Sequence, residues 1–462
     1  MEYIFNYMKM SFPACYQFRK IWNSIPNFTK TWYNQGMEYK HRIIEGIAND
    51  FNAMPVILLA GPRQVGKSTF LEYLSGNLPT KPRSVTLDDL ALRIQANEDP
   101  ESFLDALGTP LIIDEFQYAP NLLSYIKMRV DQARKKALFE THQSIGTLYY
   151  LTGSQVFETM EQISESLAGR ILPYNLYAFN AREIDGTTML LQQAPFIPDH
   201  TSIGNRTCSK HLDSVEMFER IIRGCYPELY INPNLRTDQF YSGYLKTYLE
   251  RDVRSIAAVK DETKFLRFLS CLAARTGQEY NASSIASDVQ IDSKTADEWL
   301  SIAKNTYLVH LVQPYSNNAN SRAIKRPKLY FTDTGLASYL AGYSGSELLQ
   351  NSAYSGAIFE TYVFNEILKS FWNCGIDPQN KLYYYRSYDQ KEIDLIIHDE
   401  GKLYPIEIKK TSTTPTVDAT KNFATLEKEA GENQVMPGTI ICNVKEIVPV
   451  GNGVIAVPVE YI

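Results

Sequence analysis

The sequence predicts a multi-domain α/β protein: a parallel sheet covered by helices, then a helical region, then a second α/β unit. Three observations predict it. The chain has 462 residues, too many for one ordinary core. Between about residues 53 and 182, short apolar runs alternate with helical stretches, as in a parallel sheet buried on both faces. "GPRQVGKS", residues 61–68, joins the first such run to a helix and fits the spacing GxxxxGK[ST].

The expected strands are residues 55–60, 84–89, 110–115, 147–154 and 170–179. The loop formed by Gly61, Pro62, Arg63, Gln64, Val65, Gly66, Lys67, Ser68 and Thr69 would turn backbone N–H groups and a helix N-terminus toward the phosphates of ATP. Lys67 would add a cation, and the Ser68 hydroxyl would ligate Mg²⁺. "LIIDE" ends a buried strand in two carboxylates at the edge where open α/β sheets bind ligands. Asp114 is expected to hold the Mg²⁺ through water, and Glu115 to orient or deprotonate the attacking water. One strand later, Ser154 is either the polar group between water and γ-phosphate or an ordinary turn residue. Arg170 either reaches the γ-phosphate of a neighbouring subunit or is a salt-bridge partner.

Composition narrows the function classes. Charged residues make up 21% and the net charge is −6, which argues against a dominant nucleic-acid or membrane surface but leaves room for a local basic patch. The six cysteines are scattered, with no CxxC, and read as free thiols of a cytoplasmic protein. No apolar run approaches the roughly 18 residues a membrane span needs. Residues 1–36 are aromatic-rich without a clear period and without a secretion signal, and form an N-terminal extension. Met37 then opens "MEYKHRIIEGIANDF", which has an amphipathic pattern.

Residues 282–331 have the pattern of a winged helix. "ASSIASDVQ" gives a short helix, and Asp292 caps a second whose apolar Ala296, Trp299, Leu300 and Ala303 recur at helical spacing. Two strands follow, joined by "SNNANSRAIKRPK". Arg322, Lys325, Arg326 and Lys328 would then lie on phosphates of DNA. The second helix argues back: Asp292, Asp297 and Glu298 against Lys294 and Lys304 leave it net negative, so a rigid spacer or protein dock stands beside DNA binding.

Near the carboxyl terminus, "GAIFETYVFNEILKSFW" is a helix with Phe359, Val363, Ile367 and Phe371 on one stripe and Glu360 at its flank. Two strands follow with a turn at residues 398–402. Strand alternation puts Glu392 and Asp394 on one face with Ile393 and Leu395 opposite, and Glu407 and Lys409 on one face with Ile406 and Ile408 opposite. Pairing gathers carboxylates for Mg²⁺ and an ammonium to stabilise a charged phosphorane, the set that phosphodiester hydrolysis needs. Alternatively, this is a solvated face of an edge hairpin.

"GPRQVGKST", "IIDEFQYAP", "LTGSQ", "SLAGRI" and "YLERDV" resemble, in that order, a family of prokaryotic AAA-type ATP-binding proteins. In that family the ATPase is fused to a C-terminal domain of formerly unknown function with a restriction-endonuclease-like core. Asp394, Glu407 and Lys409, preceded by the helical Glu360, resemble the PD-(D/E)xK nuclease motif, although Ile393 stands where its proline would. The resemblance covers roughly 37–462. With the residue patterns, it implies an AAA-type five-stranded core over 37–190, an insertion and helical region over 191–277, a winged-helix domain over 278–335 and a restriction-endonuclease-like domain over 336–462. ATP with Mg²⁺ is the implied cofactor set, and Glu115, Ser154, Arg170, Glu360, Asp394, Glu407 and Lys409 are the implied catalytic residues. Ser68, Asp114, Asp394 and Glu407 would hold metal. The expected partners are DNA or RNA and further copies of the chain, with no membrane. The expected function is ATP hydrolysis coupled to a nuclease-like domain; the alternative is a nucleotide-dependent switch that binds nucleic acid or protein without cutting.

Overall fold

The structure, a computed structural model, describes residues 39–78, 80–142, 145–154, 167–188, 194–206, 208, 210–253, 259, 261–316, 326–387, 389–430 and 434–462. Residues 1–40 separate from 41–462 as a distinct unit, of which only Tyr39 and Lys40 are described.

In the second unit the first sheet is five-stranded and parallel. Its strands are β1 (Val56–Ala60), β2 (Arg83–Thr86), β3 (Leu111–Asp114), β4 (Tyr149–Gly153) and β5 (Ile171–Asn175), in the order β2-β3-β4-β1-β5. The continuous apolar run of β1 has a direct cause. Val56, Leu58 and Ala60 pack into one core cluster and Ile57 and Leu59 into another, so both faces are covered. Register pairs Ala60 with Gly153 and Thr86 with Asp114, so the carboxyl ends of β1, β3 and β4 share one edge. Helix α1 (Lys67–Asn77) leaves β1 through the glycine loop, and α2 (Leu122–Lys136) follows β3. The short α3 (Ala181–Asp185) follows β5 and starts at a capping box formed by Asn180 and Glu183.

Beyond the intervening helices Ser214–Arg223, Pro227–Ile231 and Thr237–Tyr248 lie α4 (Glu262–Ala274), α5 (Ala282–Val289) and α6 (Ser293–Asn305). Asp292 caps α6 by accepting from the Thr295 amide, and Ala296, Trp299, Leu300 and Ala303 are all buried. The second sheet has nine strands: β6 (Gln278–Glu279), β7 (Val309–Pro314), β8 (Lys328–Phe331), β9 (Leu382–Arg386), β10 (Glu392–Asp399), β11 (Lys402–Lys409), β12 (Thr439–Cys442), β13 (Val448–Gly451) and β14 (Val454–Pro458). Its order is β13-β14-β12-β11-β10-β9-β7-β8-β6. The β7–β8 hairpin is antiparallel as expected, but β7 also pairs in parallel with β9 through Gln313 and Pro314. One sheet therefore runs across the expected boundary at residue 335.

Helix α7 (Ser355–Trp372) lies against this sheet. Its expected apolar stripe, Phe359, Val363, Ile367 and Phe371, is buried, but so are Glu366 and Lys369, because other helices pack on its far side. The strict alternation expected along β10 fails. Pairing with β9 slips between Ile393 and Ile396, a β-bulge at Asp394 and Leu395. Ile393 and Ile396 consequently pack into one core cluster, while Leu395 and Ile397 pack into another.

Candidate functional site

The edge shared by β1, β3 and β4 carries the first group of expected residues. Gly61 (φ 145°) must be glycine: a Cβ there would run into the carbonyl oxygen of Leu176, whose amide bonds Ala60 of β1. Gly66 (φ 87°) turns the chain into α1 from the left-handed region. Lys67 is buried, and its ammonium donates to the loop's own carbonyls at Gly61 (2.9 Å) and Pro62 (2.6 Å). The Ser68 hydroxyl lies 3.0 Å from each carboxylate oxygen of Asp114. This hydroxyl–carboxylate pair, together with phosphate oxygens and water, suits the octahedral oxygen shell of Mg²⁺.

Glu115 sits just beyond β3 with left-handed backbone (φ 55°). Burial pushes its carboxyl above the usual range, opposed by the charges of Lys67 and Arg63 and by a hydrogen bond from Gln117. Ser154 is buried, and its Oγ has no hydrogen-bond partner among the described residues. The polar group nearest the acidic pair is instead Thr152, whose hydroxyl bonds Asp114 and accepts from the Glu115 amide at 3.3 Å. Thr152 and Gln117 both escaped notice as individual site residues; the tripeptide "LTG" ending a buried strand was the available signal for the first.

Arg170 precedes β5, and its carbonyl accepts from the amide of Val56 at the start of β1. It therefore lies at the edge of the sheet opposite Lys67 and Asp114, and its guanidinium forks onto Asp131 of α2 at 2.7 and 2.9 Å. Within one chain it is a salt-bridge partner. Arg251 of the "YLERDV" stretch makes an ion pair with Asp88 at 3.8 Å.

The second group gathers at the junction of β8, α7, β10 and β11. The Asp394 carboxylate accepts from the Ile408 amide at 2.8 Å, which locks β10 and β11 at this point. Lys409 lies 2.8 Å from Glu407 and 3.9 Å from Asp394. Burial pushes the Glu407 carboxyl up to about 7, with the charge of Asp394 adding and Lys409 opposing. Burial likewise pushes Glu360 up to about 7, against Lys328. The four residues expected to cooperate are thus brought together.

Lys328 belongs to this group, which corrects its expected place on a DNA phosphate. It is 2% exposed, and its ammonium sits 2.7 Å from Glu360, 2.7 Å from Glu392 and 3.9 Å from Asp394. Burial opposes its charge, but Tyr330, Glu360, Asp394 and Glu392 hold it firmly protonated. Of the other expected phosphate contacts, Arg326 is exposed, while Arg322 and Lys325 lie outside the described residues.

Among the described residues no three His, Cys, Asp or Glu side chains group so as to hold a metal ion. The expected metal positions therefore rest on pairs, Ser68 with Asp114 and Asp394 with Glu407. Also among the described residues, no helix is long and apolar enough to cross a membrane.

Comparison with known proteins bears on the domain that carries the first group. Residues 53–185 match the AAA domain family, which supports an AAA-type ATP-binding unit there. Residues 215–347 and 355–462 match two domains of unknown function, DUF8612 and DUF4143. Two relatives, the uncharacterized proteins Rv2008c of Mycobacterium tuberculosis and Mb2031c of Mycobacterium bovis, are each 25% identical over 88% of this chain and 81% of their own length. Among solved structures, RuvB of Thermotoga maritima, described as a Holliday junction branch migration motor, is 16% identical over 58% of this chain and 85% of its own. Its TM-score is 0.27, too low to be a basis for a shared overall fold.

Proposed function

We propose that the protein is a Mg²⁺-dependent ATP hydrolase whose nucleotide state governs a nucleic-acid-directed, nuclease-like domain at the carboxyl end of the chain. The observation that carries the first half is the Ser68 hydroxyl 3.0 Å from both oxygens of Asp114, beside the buried Lys67. In this reading the amides and ammonium of the loop neutralise the triphosphate, and Ser68 and Asp114 hold Mg²⁺. Glu115 takes the proton of the attacking water or orients it, at a carboxyl that burial makes more basic than an exposed one. Ser154, buried and unpaired among the described residues, is the further polar group facing that chemistry, and Arg170 acts on the γ-phosphate of a neighbouring copy.

Support for coupling comes from a chain of buried polar contacts. Arg42 donates to Val65 of the phosphate loop at 3.0 Å and pairs with Glu183 of α3 at 3.0 Å. The Ala181 amide donates to Glu366 at 2.7 Å, and Lys369 donates to the Phe179 carbonyl at 2.8 Å. Both Glu366 and Lys369 lie on α7, the helix that carries Glu360 at its other end. A shift of the loop on nucleotide binding thus has a rigid element to act on.

In the nuclease-like domain, Asp394 and Glu407 would hold one divalent cation, and the orphaned buried Oε2 of Glu407 fits that role. Such a cation supplies Lewis-acid polarisation of a phosphodiester. Lys409 would stabilise developing negative charge, and Glu360 would accept a proton. A winged-helix reading of α5 and α6 with the β7–β8 hairpin supplies a nucleic-acid contact through Arg326. With Mg²⁺ or Mn²⁺ the protein should nick supercoiled plasmid, and Asp394→Ala should stop nicking while ATP turnover continues. Cleavage that persists in Asp394→Ala rejects the assignment.

The buried Lys328 favours a second reading, because it already neutralises part of the acidic group. There the domain binds nucleic acid or protein without cutting, and the same assay returns nucleotide-dependent binding with no nicks.

A further inference from the structure

The acidic group holds four carboxylates, Glu360, Glu392, Asp394 and Glu407, against two ammonium groups, Lys328 and Lys409. The two ammonium groups are not equivalent. Lys409 is part-exposed at the rim, whereas Lys328 is 2% exposed and lies between residues of α7 and β10. Its contacts of 2.7 Å to Glu360 and 2.7 Å to Glu392 are those of charge-assisted hydrogen bonds. The same Glu360 oxygen also accepts from the Tyr330 hydroxyl at 2.6 Å. The ammonium stands in the space where a metal ion bridging these two carboxylates at about 2.0–2.6 Å would have to stand. By contrast, Glu407 is 6% exposed and its Oε2 has no hydrogen-bond partner among the described residues. One buried carboxylate oxygen is left to receive a cation, and it belongs to Glu407 rather than to the pair Glu360 and Glu392 that Lys328 already bridges.

We propose that Lys328 is the resident cation of the acidic site, standing in the seat a second divalent ion would otherwise take. The site then accepts a single divalent cation, between Asp394 and Glu407. This deepens the reading of the acidic group as a divalent-cation site and rests on it. Lys328 comes from β8, in the hairpin that precedes the nuclease-like motif, so the seat is filled by a strand the motif does not include.

The test counts Mn²⁺ bound per full-length chain, by electron paramagnetic resonance of the free ion, without nucleotide. Wild type, Asp394→Asn, Lys328→Met and Lys328→Gln are compared, so that ions bound elsewhere cancel. The expected result is that Asp394→Asn binds one Mn²⁺ fewer than wild type and that both Lys328 variants bind one more. If Asp394→Asn matches wild type, the underlying divalent-site reading fails. If Asp394→Asn loses an ion but neither Lys328 variant gains one, the resident-cation proposal alone fails. Should the Lys328 variants be unstable, melting with and without Mn²⁺ decides. An ion in the vacated seat must raise their Tm more than that of wild type, and variants that stay unfolded with Mn²⁺ present overturn the proposal.

Discussion

The glycine-loop site and the acidic site both gather charge beside a sheet, but they are assembled in opposite ways. In the first, one stretch of chain from Gly61 to Ser68 supplies the buried ammonium and the hydroxyl, and a neighbouring strand supplies Asp114. Its ammonium rests on carbonyls of its own loop. In the second, β8, α7, β10 and β11 each contribute one or two charged side chains, and a buried ammonium bridges carboxylates from two of them. A local site is specified by its own spacing. A dispersed site depends on how distant strands are joined, and so its charge balance is decided by tertiary structure.

Three experiments can break or sharpen that contrast, the strongest effect first. Lys67→Ala should lower ATP turnover by about 100-fold or more, as expected when a donor aimed at developing charge is removed. An unchanged rate would mean that the local site does not do this chemistry. For Arg170, turnover per chain should rise with protein concentration in wild type and stay flat and low in Arg170→Ala, because its guanidinium lies at the edge opposite Lys67 in its own chain. A concentration-independent rate in wild type leaves Arg170 with Asp131 alone.

The smallest effect concerns pH, measured in a metal chelator. The Glu407 carboxyl stands at about 7 in the folded protein against an ordinary 4.5, chiefly through burial. Protonation therefore favours the fold. That stability is fully present below about 4.5 and is lost as pH rises through about 7. Glu407→Gln does not titrate, so its Tm should gain on wild type between pH 5 and pH 8, by about 2 °C or more. A constant gap across that range would show that the carboxyl is not perturbed.

The same contrast explains what could be read from sequence. The five parallel strands were legible because their apolar runs are covered on both faces, and the phosphate loop because its glycines are forced by close approach and positive φ. Within the acidic group, strand alternation singled out Glu407 and Lys409, and the resemblance to a nuclease motif added Asp394 and Glu360. Lys328 was not. It belongs to a basic stretch that looks like a phosphate contact, and the β7–β9 pairing, which joins the hairpin to the strands of the acidic group in one sheet, is not visible in the sequence. Alternation also failed at Asp394, because a bulge adds a residue that period-two reasoning has no means to detect. Thr152 was passed over for Ser154 because the two lie close in sequence, and only coordinates show which reaches Asp114.

The central claim is that loop, hydroxyl and carboxylate together form a metal–triphosphate pocket. Its most direct test is the equilibrium affinity for ATP, measured with Mg²⁺ and with chelator, in wild type and in Asp114→Asn. Wild type should bind more tightly with Mg²⁺, and Asp114→Asn should erase most of that difference. Equal affinity with and without Mg²⁺ in wild type, or an undiminished Mg²⁺ effect in Asp114→Asn, would contradict the account.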